Sequence, residues 1–266
     1  MSDLVLWHIR FSNFNEKARW ALDYKRVPHV RRALDSGMHP PVALALTRGA
    51  HRTFPLLQID GRSIGDSTAI IAELERRFPE PPLYPADAVE RRHALELEDY
   101  FDESYGHEVR RVAFWRLFAD DDEGVLGMRE LAGPLPDPVL RAMLPPTRAS
   151  LFGYYGISEE SARTAQEKLE AGFDRIESER VGGDYLVGDR FSVADLTAAA
   201  LVAPVLLPPG FPWRPRAGLH PGIARLQEEL GRHPAADWIR RTYERHRAPV
   251  APSRPPGPGV EHPVGA

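Results

Sequence analysis

The sequence contains no cysteine. A chain without cysteine cannot form disulfides, ligate a metal through thiolate, or use its own thiol as a nucleophile. A disulfide reductase that works through paired protein thiols is therefore not expected. If a thiol takes part in the chemistry of this protein, a ligand must supply it.

The sequence also has few lysines and no recognisable membrane-span or targeting pattern. Lysine occurs only at positions 17, 25 and 168, no apolar run approaches the length of a membrane span, and the N-terminus has no signal-peptide pattern. A formal charge of −4 gives no reason to expect nucleic-acid binding. Metal-ligand sets, phosphate loops and dinucleotide fingerprints are not recognisable. We therefore expect a soluble cytoplasmic protein with no metal, no nucleic acid and no membrane as partner.

The most informative stretch runs from residue 53 to residue 77. Its alternating pattern at 54–59 predicts a buried strand, and Asp60-Gly61 predicts a tight hairpin turn. A short return strand and a helix that begins near Ser67 follow. The rest of the first 80 residues fits strand, helix, strand and a short helix, at 4–9, 16–24, 29–34 and 42–46.

Two features of this stretch suggest binding chemistry. Proline cannot donate to a strand ladder, so Pro55 predicts a strand end, a bulge or a cis bond. A cis bond would turn the backbone N–H and C=O of Phe54 outward, towards an extended ligand. Asp66 and Ser67 offer a carboxylate and a hydroxyl at a helix N-terminus, which fits the head of an α-amino acid. The alternative for this pair is an ordinary helix cap.

A proline-rich linker follows, and helical patterns replace strand patterns after it. The clearest helical patterns cover 88–119 and 158–180, and we expect a helix at 138–155 to be interrupted at Pro145-Pro146. Ser192 and Asp195 form a capping box, for which we predict a structural role rather than a catalytic one. Residues 248–266 are rich in proline and glycine and predict a disordered tail.

From Leu4 to His246 the chain resembles the glutathione transferase superfamily. In that family the proline-led strand, the hairpin and the acidic-Ser helix start form the glutathione half of the site. The resemblance implies an α/β plus all-α fold. A thioredoxin-like domain (βαβ-α-ββα) would occupy 1–80, a linker 81–87 and a helical bundle 88–247. It also implies glutathione as a substrate, an electrophilic small molecule as a partner, and a homodimer.

The resemblance assigns the catalytic position to Ser12. A hydroxyl donor and the positive end of a helix both stabilise a thiolate and so lower the pKa of a bound thiol. Asn15 falls where a redox motif would have its second cysteine, and it is a second candidate donor. The alternative is that Ser12, Asn13 or Asn15 merely caps the helix. Many family members have proline where this chain has Asn13.

The remaining contacts follow from the same resemblance. The backbone of Phe54, with Pro55 in the cis form, would hold the cysteinyl unit, and Asp66 with Ser67 would hold the γ-glutamyl head. Arg52 is our prediction for the group that binds the glycyl carboxylate, with two histidines as alternatives. The two histidines are His39 and His51. The candidates to line the electrophile site are Tyr100, Tyr105, Gly106, His107 and Trp115, of which we expect most to lie in the core and one or two to face the pocket.

These features predict an enzyme that conjugates the thiol of glutathione to an electrophilic, largely apolar molecule. Two alternatives stay open. One is a ligand-binding or structural member of the fold without activity, which the unusual sequence around Ser12 suggests. The other is an enzyme that uses another low-molecular-weight thiol, or glutathione as a cofactor of an isomerisation or a reductive step. The segment 120–146 is expected to cover or reshape the substrate pocket.

Overall fold

The computed structural model describes residues 4–34, 38–180, 183–215 and 218–247. Its sheet has four strands in the order β2-β1-β3-β4, with β1 parallel to β2 and antiparallel to β3. The strands are β1 (Val5–His8), β2 (Val30–Ala33), β3 (Leu56–Ile59) and β4 (Arg62–Gly65). The predicted tail at 248–266 lies outside the described residues.

Three helices flank this sheet: α1 (Asn13–Tyr24), α2 (His39–Thr47) and α3 (Ser67–Arg77). The element order is the predicted βαβ-α-ββα arrangement, which confirms the thioredoxin-like fold. The helices α1 and α3 pack together, with Ala18, Leu22 and Ile71 fully buried. Ala43 of α2 packs with Phe54 and Leu56 in a separate apolar cluster.

The regular elements that follow α3 in the described residues are all helical. They are α4 (Ala88–Tyr100), a π-helical segment (Phe101–Gly106), α5 (His107–Phe118), α6 (Asp121–Ala132), α7 (Asp137–Tyr155), α8 (Glu159–Glu179), α9 (Val193–Leu206), α10 (Pro221–Gly231) and α11 (Pro234–His246). The predicted long helix at 88–119 is thus continuous through a π segment. Tyr105 of that segment is fully buried, and its ring lies where a Cβ on Gly172 would be.

The predicted interruption of α7 at Pro145-Pro146 is wrong. The helix runs through both prolines from Asp137 to Tyr155. Both prolines are exposed, so that water can solvate the carbonyls which lose their helical donors. Leu140 and Leu144, one turn apart, are buried in a small core with Phe118 and hold the helix in place.

The capping box at the start of α9 has the predicted structural role. Asp195 is fully buried and accepts hydrogen bonds from the backbone N–H of Leu186 and of Ser192, both at 2.8 Å, and from the Ser192 hydroxyl at 2.9 Å. Burial raises the pKa of this carboxyl to about 6, although these hydrogen bonds oppose the shift. The carboxylate therefore joins the loop before α9 to the first turn of the most buried helix.

Buried charged side chains on and beside α1 form a set that we call the α1 charge cluster. Its carboxylates each meet two guanidinium groups at 2.5–2.8 Å. Its members are Glu16, Arg19, Asp23, Arg31 and Arg247. The cluster connects α1 to β2 and to the last described residue of the chain.

Candidate active site

Two cavities meet at the N-terminus of α1. The first has a volume of about 720 Å³ and polar walls from α3, the π segment and the helices beside it. The second is narrower, about 190 Å³, and mainly apolar. Five residues line both cavities: Ser12, Thr53, Phe54, Arg110 and Tyr155. Of the predicted site residues, Ser12, Phe54, Pro55, Asp66 and Ser67 meet in the polar cavity.

Ser12 lies at the N-cap position of α1, but its hydroxyl makes no capping hydrogen bond. Instead, the Ser12 Oγ accepts a hydrogen bond of 2.7 Å from Asn15 Nδ2. The backbone N–H of Ile9 donates to Asn15 Oδ1 at 3.0 Å, which fixes the orientation of the amide. Because its oxygen is the acceptor, the Ser12 hydroxyl keeps its own proton for a group in the cavities.

Asn15 is fully buried and lines neither cavity. Its second N–H donates to the carbonyl of Phe54 at 3.1 Å. With one N–H on Ser12 and the other on Phe54, the amide has no donor left for a bound thiol. Its geometry is that of a residue which positions the Ser12 hydroxyl against the loop before β3.

Arg19 of the α1 charge cluster fixes the turn before Ser12 through hydrogen bonds to its backbone. Arg19 donates to the carbonyl of Ile9 at 3.0 Å and to that of Arg10 at 2.9 Å. The same guanidinium donates to Glu16 at 2.8 Å, so its charge is balanced in the interior. Ordered charges below the turn therefore fix the backbone from which Ser12 projects.

The Phe54-Pro55 peptide bond is cis, which is one of the three predicted possibilities. The expectation that both backbone groups of Phe54 are free needs one correction. The Phe54 carbonyl already accepts the Asn15 hydrogen bond, because the buried amide lies directly behind it. A ligand in the polar cavity therefore meets a carbonyl with one of its two acceptor positions in use.

Asp66 has the role of a helix cap, which is one of the two alternatives that the sequence left open, and it lines the polar cavity together with Ser67. Asp66 is the N-cap of α3, and its Oδ1 accepts from the N–H groups of Thr68 and Ala69 at 2.9 and 3.1 Å. Its carboxylate is nevertheless exposed beside the polar cavity, and only Oδ1 takes part in the cap. Ser67 follows in the first turn and lines the same cavity.

Lys17 supports the wall of the polar cavity, a role that the sequence did not reveal. Its fully buried ammonium contacts Glu98 at 2.8 Å, Asp102 at 2.5 Å and the Thr68 hydroxyl at 2.7 Å. Burial raises the pKa of Glu98, and Lys17 opposes this shift. One lysine therefore joins α1, α3, α4 and the π segment beneath the polar cavity. The signal was its position one turn into α1 in a chain with three lysines.

The three basic candidates for a carboxylate have different surroundings. Arg52 is exposed and lines neither cavity. The His51 ring covers Gly65, where a Cβ would lie 2.6 Å from its Nδ1. His39 lines the apolar cavity with its ring 5.9 Å from that of Phe54. Within the described residues its buried Nδ1 has no hydrogen-bond partner, and burial lowers the pKa of this imidazole.

The apolar cavity is built mostly from residues that the sequence did not single out. Of the five candidates for the electrophile site, most of which we expected in the core, only His107 reaches a cavity at this junction. Tyr105 is buried in the core, and Trp115 stacks on Phe152 away from the site. The residues that line the apolar cavity instead include Phe11, Val109, Phe114, Leu117, Trp213 and Leu219.

The segment 120–146 contributes to this cavity through α6. Leu126, Gly127 and Leu131 form part of the apolar lining. A Cβ on Gly127 would lie 2.7 Å from the Phe118 ring, so glycine is needed for α6 to approach α5. The segment therefore reshapes the pocket by supplying a wall.

Comparisons with known proteins agree with this arrangement. The family model "Glutathione S-transferase, N-terminal domain" matches residues 6–82, and "Glutathione S-transferase, C-terminal domain" matches residues 158–241. The chain belongs to the glutathione S-transferase superfamily. None of the described helices is long and apolar enough to cross a membrane.

Individual relatives carry different names. A maleylacetoacetate isomerase of Dictyostelium discoideum is 26% identical over 74% of this chain and 77% of its own length. FtsZ-localized protein A of Caulobacter vibrioides is 27% identical over 79% of this chain and 80% of its own length. The structure of a glutathione S-transferase of Ceriporiopsis subvermispora, in complex with glutathione, superimposes with a TM-score of 0.61. It is 19% identical, with 95% of this chain and 100% of that chain covered. This last likeness shows the shared fold.

Proposed function

We propose that the protein is a glutathione transferase-like enzyme that conjugates glutathione to an electrophilic, largely apolar small molecule. The observation that carries the proposal is the position of Ser12. Its hydroxyl, oriented by Asn15, lies where a polar cavity and an apolar cavity meet. A thiol bound at this junction has a hydroxyl donor on one side and an apolar pocket on the other.

The polar cavity fits the peptide part of glutathione. The carboxylate of the γ-glutamyl head would bind the Ser67 hydroxyl at the N-terminus of α3, where the helix dipole favours an anion. The ammonium of the same head would meet the Asp66 carboxylate, whose Oδ2 is not used by the cap. The backbone beside Pro55 would hold the cysteinyl unit. The complex of the Ceriporiopsis protein with glutathione supports this choice of thiol.

The proposed chemistry is attack by the sulfur on an electrophilic carbon. The Ser12 hydroxyl and the N-terminus of α1 would stabilise the thiolate, so the thiol proton leaves to solvent near neutral pH. A carbon–sulfur bond then forms, and an acceptor double bond takes up the electron pair or a leaving group departs with it. Asn15 acts as a positioning residue in this scheme, since both of its N–H groups are used within the protein.

Calorimetric titration of glutathione into the wild type, Ser67→Ala and Ser12→Ala tests the proposal. Loss of a hydrogen bond to a charged group predicts that Ser67→Ala raises the Kd by roughly tenfold or more. Ser12→Ala should change the Kd less than about threefold but raise the pKa of the bound thiol and lower kcat by roughly tenfold or more. Absence of saturable binding to the folded wild type would remove glutathione from the function.

A second candidate is a member of the fold that binds partners without transferase activity. Its support is the likeness to FtsZ-localized protein A, whose name describes a location and not a reaction. This candidate predicts that Ser12→Ala changes no measured property of the protein. If binding of glutathione fails, other low-molecular-weight thiols are the next ligands to titrate. We also propose a homodimer, which light scattering of the purified protein would test.

A further inference from the structure

We propose that the second substrate carries an anionic group, such as a carboxylate, and that Arg110 binds it at the mouth of the apolar cavity. The proposal rests on the function above for the identity of the reaction. The binding site itself is defined by contacts within this chain. The proposed substrates are apolar molecules with one negative charge, and the other walls of the pocket are mainly apolar.

The first observation is the location of Arg110. Its side chain lines both cavities, as Ser12 and Tyr155 also do. It projects from α5 one turn after His107 and is partly buried. A substrate that fills the apolar cavity and presents its electrophilic atom at the junction must therefore pass close to this guanidinium.

The second observation is that Arg110 has no carboxylate partner among the residues that the structure describes. Its Nη2 donates to His107 Nδ1 at 2.9 Å, and its guanidinium carbon lies 4.4 Å from the centre of the Tyr155 ring and 5.8 Å from that of Phe14. Glu130 also lines the apolar cavity, and it has an interaction of its own. Among the described residues, this guanidinium thus contacts a neutral imidazole and two aromatic faces, and Glu108 acts on its charge without an ion pair.

The neighbouring arginine shows that this arrangement is not general for the helix. Arg111 also lines the polar cavity, and it pairs with the carboxylate of Glu108. The other oxygen of Glu108 is bound to Lys168 at 3.0 Å. The two adjacent arginines therefore differ in their ion pairs. Arg111 shares the carboxylate of Glu108 with Lys168, whereas Arg110 lines the cavities without an ion pair among the described residues.

The chemistry of the guanidinium makes an anion the matching ligand. Burial lowers the pKa of Arg110, which means that its charged form loses hydration at this place. A guanidinium stays charged in proteins and has only donors, so His107 must accept through an unprotonated Nδ1 and is neutral. Burial, followed by the charge of Arg110, lowers the pKa of His107 accordingly. A carboxylate would restore the missing charge balance and match the planar donor fork.

Arg110 is close enough to Ser12 to suggest a rival role, namely stabilisation of the glutathione thiolate itself. The two roles differ in what they select. A group that serves the sulfur affects every second substrate equally, whereas a group that binds the substrate distinguishes an anion from its neutral analogue.

The test compares naphthylacetate with naphthylacetamide, which differ in charge but hardly in shape. Each is titrated without glutathione into the wild type, Arg110→Gln, Arg110→Lys and Arg116→Gln. The last variant is the matched control, because Arg116 lies on the same helix but is paired with Glu229 at the surface. We expect the wild type and Arg116→Gln to bind the acid roughly tenfold more tightly than the amide. Arg110→Gln should lose this preference without weaker amide binding, and Arg110→Lys should keep part of it.

Equal binding of acid and amide by the folded wild type would overturn the proposal. So would an Arg110→Gln variant that retains the preference, or that binds both ligands equally less well. If the preference is retained while the pKa of bound glutathione rises, Arg110 serves the sulfur instead. Failure of the proposed function would look different, because glutathione would not bind while the Arg110-dependent preference for the acid remained.

Discussion

Two groups of polar side chains around helix α1 differ in how their charges and hydrogen bonds are satisfied. In the α1 charge cluster, Glu16 of the first turn and Asp23 near the C-terminus are buried, and each carboxylate meets two guanidinium groups. At the cavities beside the N-terminus, the Ser12 proton and the Arg110 guanidinium have no acidic acceptor among the described residues. Polar groups with partners inside the protein hold the fold, and those without partners are available to ligands. The presence or absence of internal partners thus distinguishes structural from functional residues in this region.

The two regions are nevertheless connected. Arg19 binds Glu16 in the α1 charge cluster and holds the carbonyls of Ile9 and Arg10 in the turn before Ser12. Arg247 reaches Glu16 from the other end of the described chain, at 2.7 Å. The complete cluster therefore fixes the backbone from which the Ser12 hydroxyl projects with its proton towards the cavities.

The largest expected effect comes from breaking the cluster with Glu16→Gln. Burial would raise the pKa of Glu16, but Arg247 and Arg19 lower it, so the carboxylate is charged at neutral pH. Removal of this charge leaves two buried guanidinium groups undercompensated, and we expect a loss of about 3–5 kcal/mol in the free energy of unfolding. Urea unfolding measures it. Glu73→Gln, at a pair of surface arginines, is the control and should cost less than about 1 kcal/mol. Equal losses of stability in Glu16→Gln and Glu73→Gln would contradict a structural role of the buried cluster.

His29, at the edge of the cluster, predicts how stability depends on pH. Its Nδ1 lies 2.7 Å from the Val27 carbonyl and its Nε2 accepts from Arg31, so the ring is neutral. Burial, followed by the charge of Arg31, lowers the pKa of His29 to about 4. The unfolded chain therefore binds the proton first, and stability is lost as the pH falls from about 6.5 to about 4.

The contribution of His29 to this loss is about 3 kcal/mol, at roughly 1.4 kcal/mol per pH unit. It is obtained from urea unfolding at a series of pH values for the wild type and His29→Gln. The variant should have a smaller slope in this range, whatever its stability at neutral pH. Identical slopes would mean that His29 titrates alike in the folded and unfolded chain.

Asp195→Ala should cost less, about 1–3 kcal/mol, because it removes a buried acceptor without stranding an opposite charge. The N–H groups of Leu186 and Ser192 lose their partner in the interior. Asp87→Ala is the matched control, since Asp87 caps α4 in solvent, and it should cost about 1 kcal/mol or less. Thermal unfolding measures both. A change in glutathione affinity beyond that caused by unfolding would give Asp195 a place in the site, against the comparison.

The sequence predicted most of the fold because the signals there are local. Alternation at 54–59, the Asp60-Gly61 turn and the Ser192–Asp195 box each depend on neighbours within a few residues. The partners of Glu16 could not be predicted in the same way, since Arg247 lies 231 residues away. The lining of the apolar cavity was missed for a related reason. Helical periodicity shows that one face is apolar but not whether that face meets the core or a pocket. Tyr105 lies in the core, as we expected for most of the candidates on this helix, but Phe114 of the cavity wall was overlooked.

Arg52→Ala should have the smallest effect and tests the comparison from the opposite side. Arg52 is exposed and, among the described residues, has no ion pair, so its loss should change the free energy of unfolding by less than about 0.5 kcal/mol. It also lines neither cavity, although the sequence made it the first candidate for the glycyl carboxylate. Because Arg52 is a solvated cation outside both cavities, its removal should raise the Kd of glutathione by less than about threefold, and by less still at high salt. Calorimetry at low and high ionic strength measures this. A tenfold rise with unchanged stability would place the carboxylate at Arg52 and show that a functional charge can lie outside both cavities.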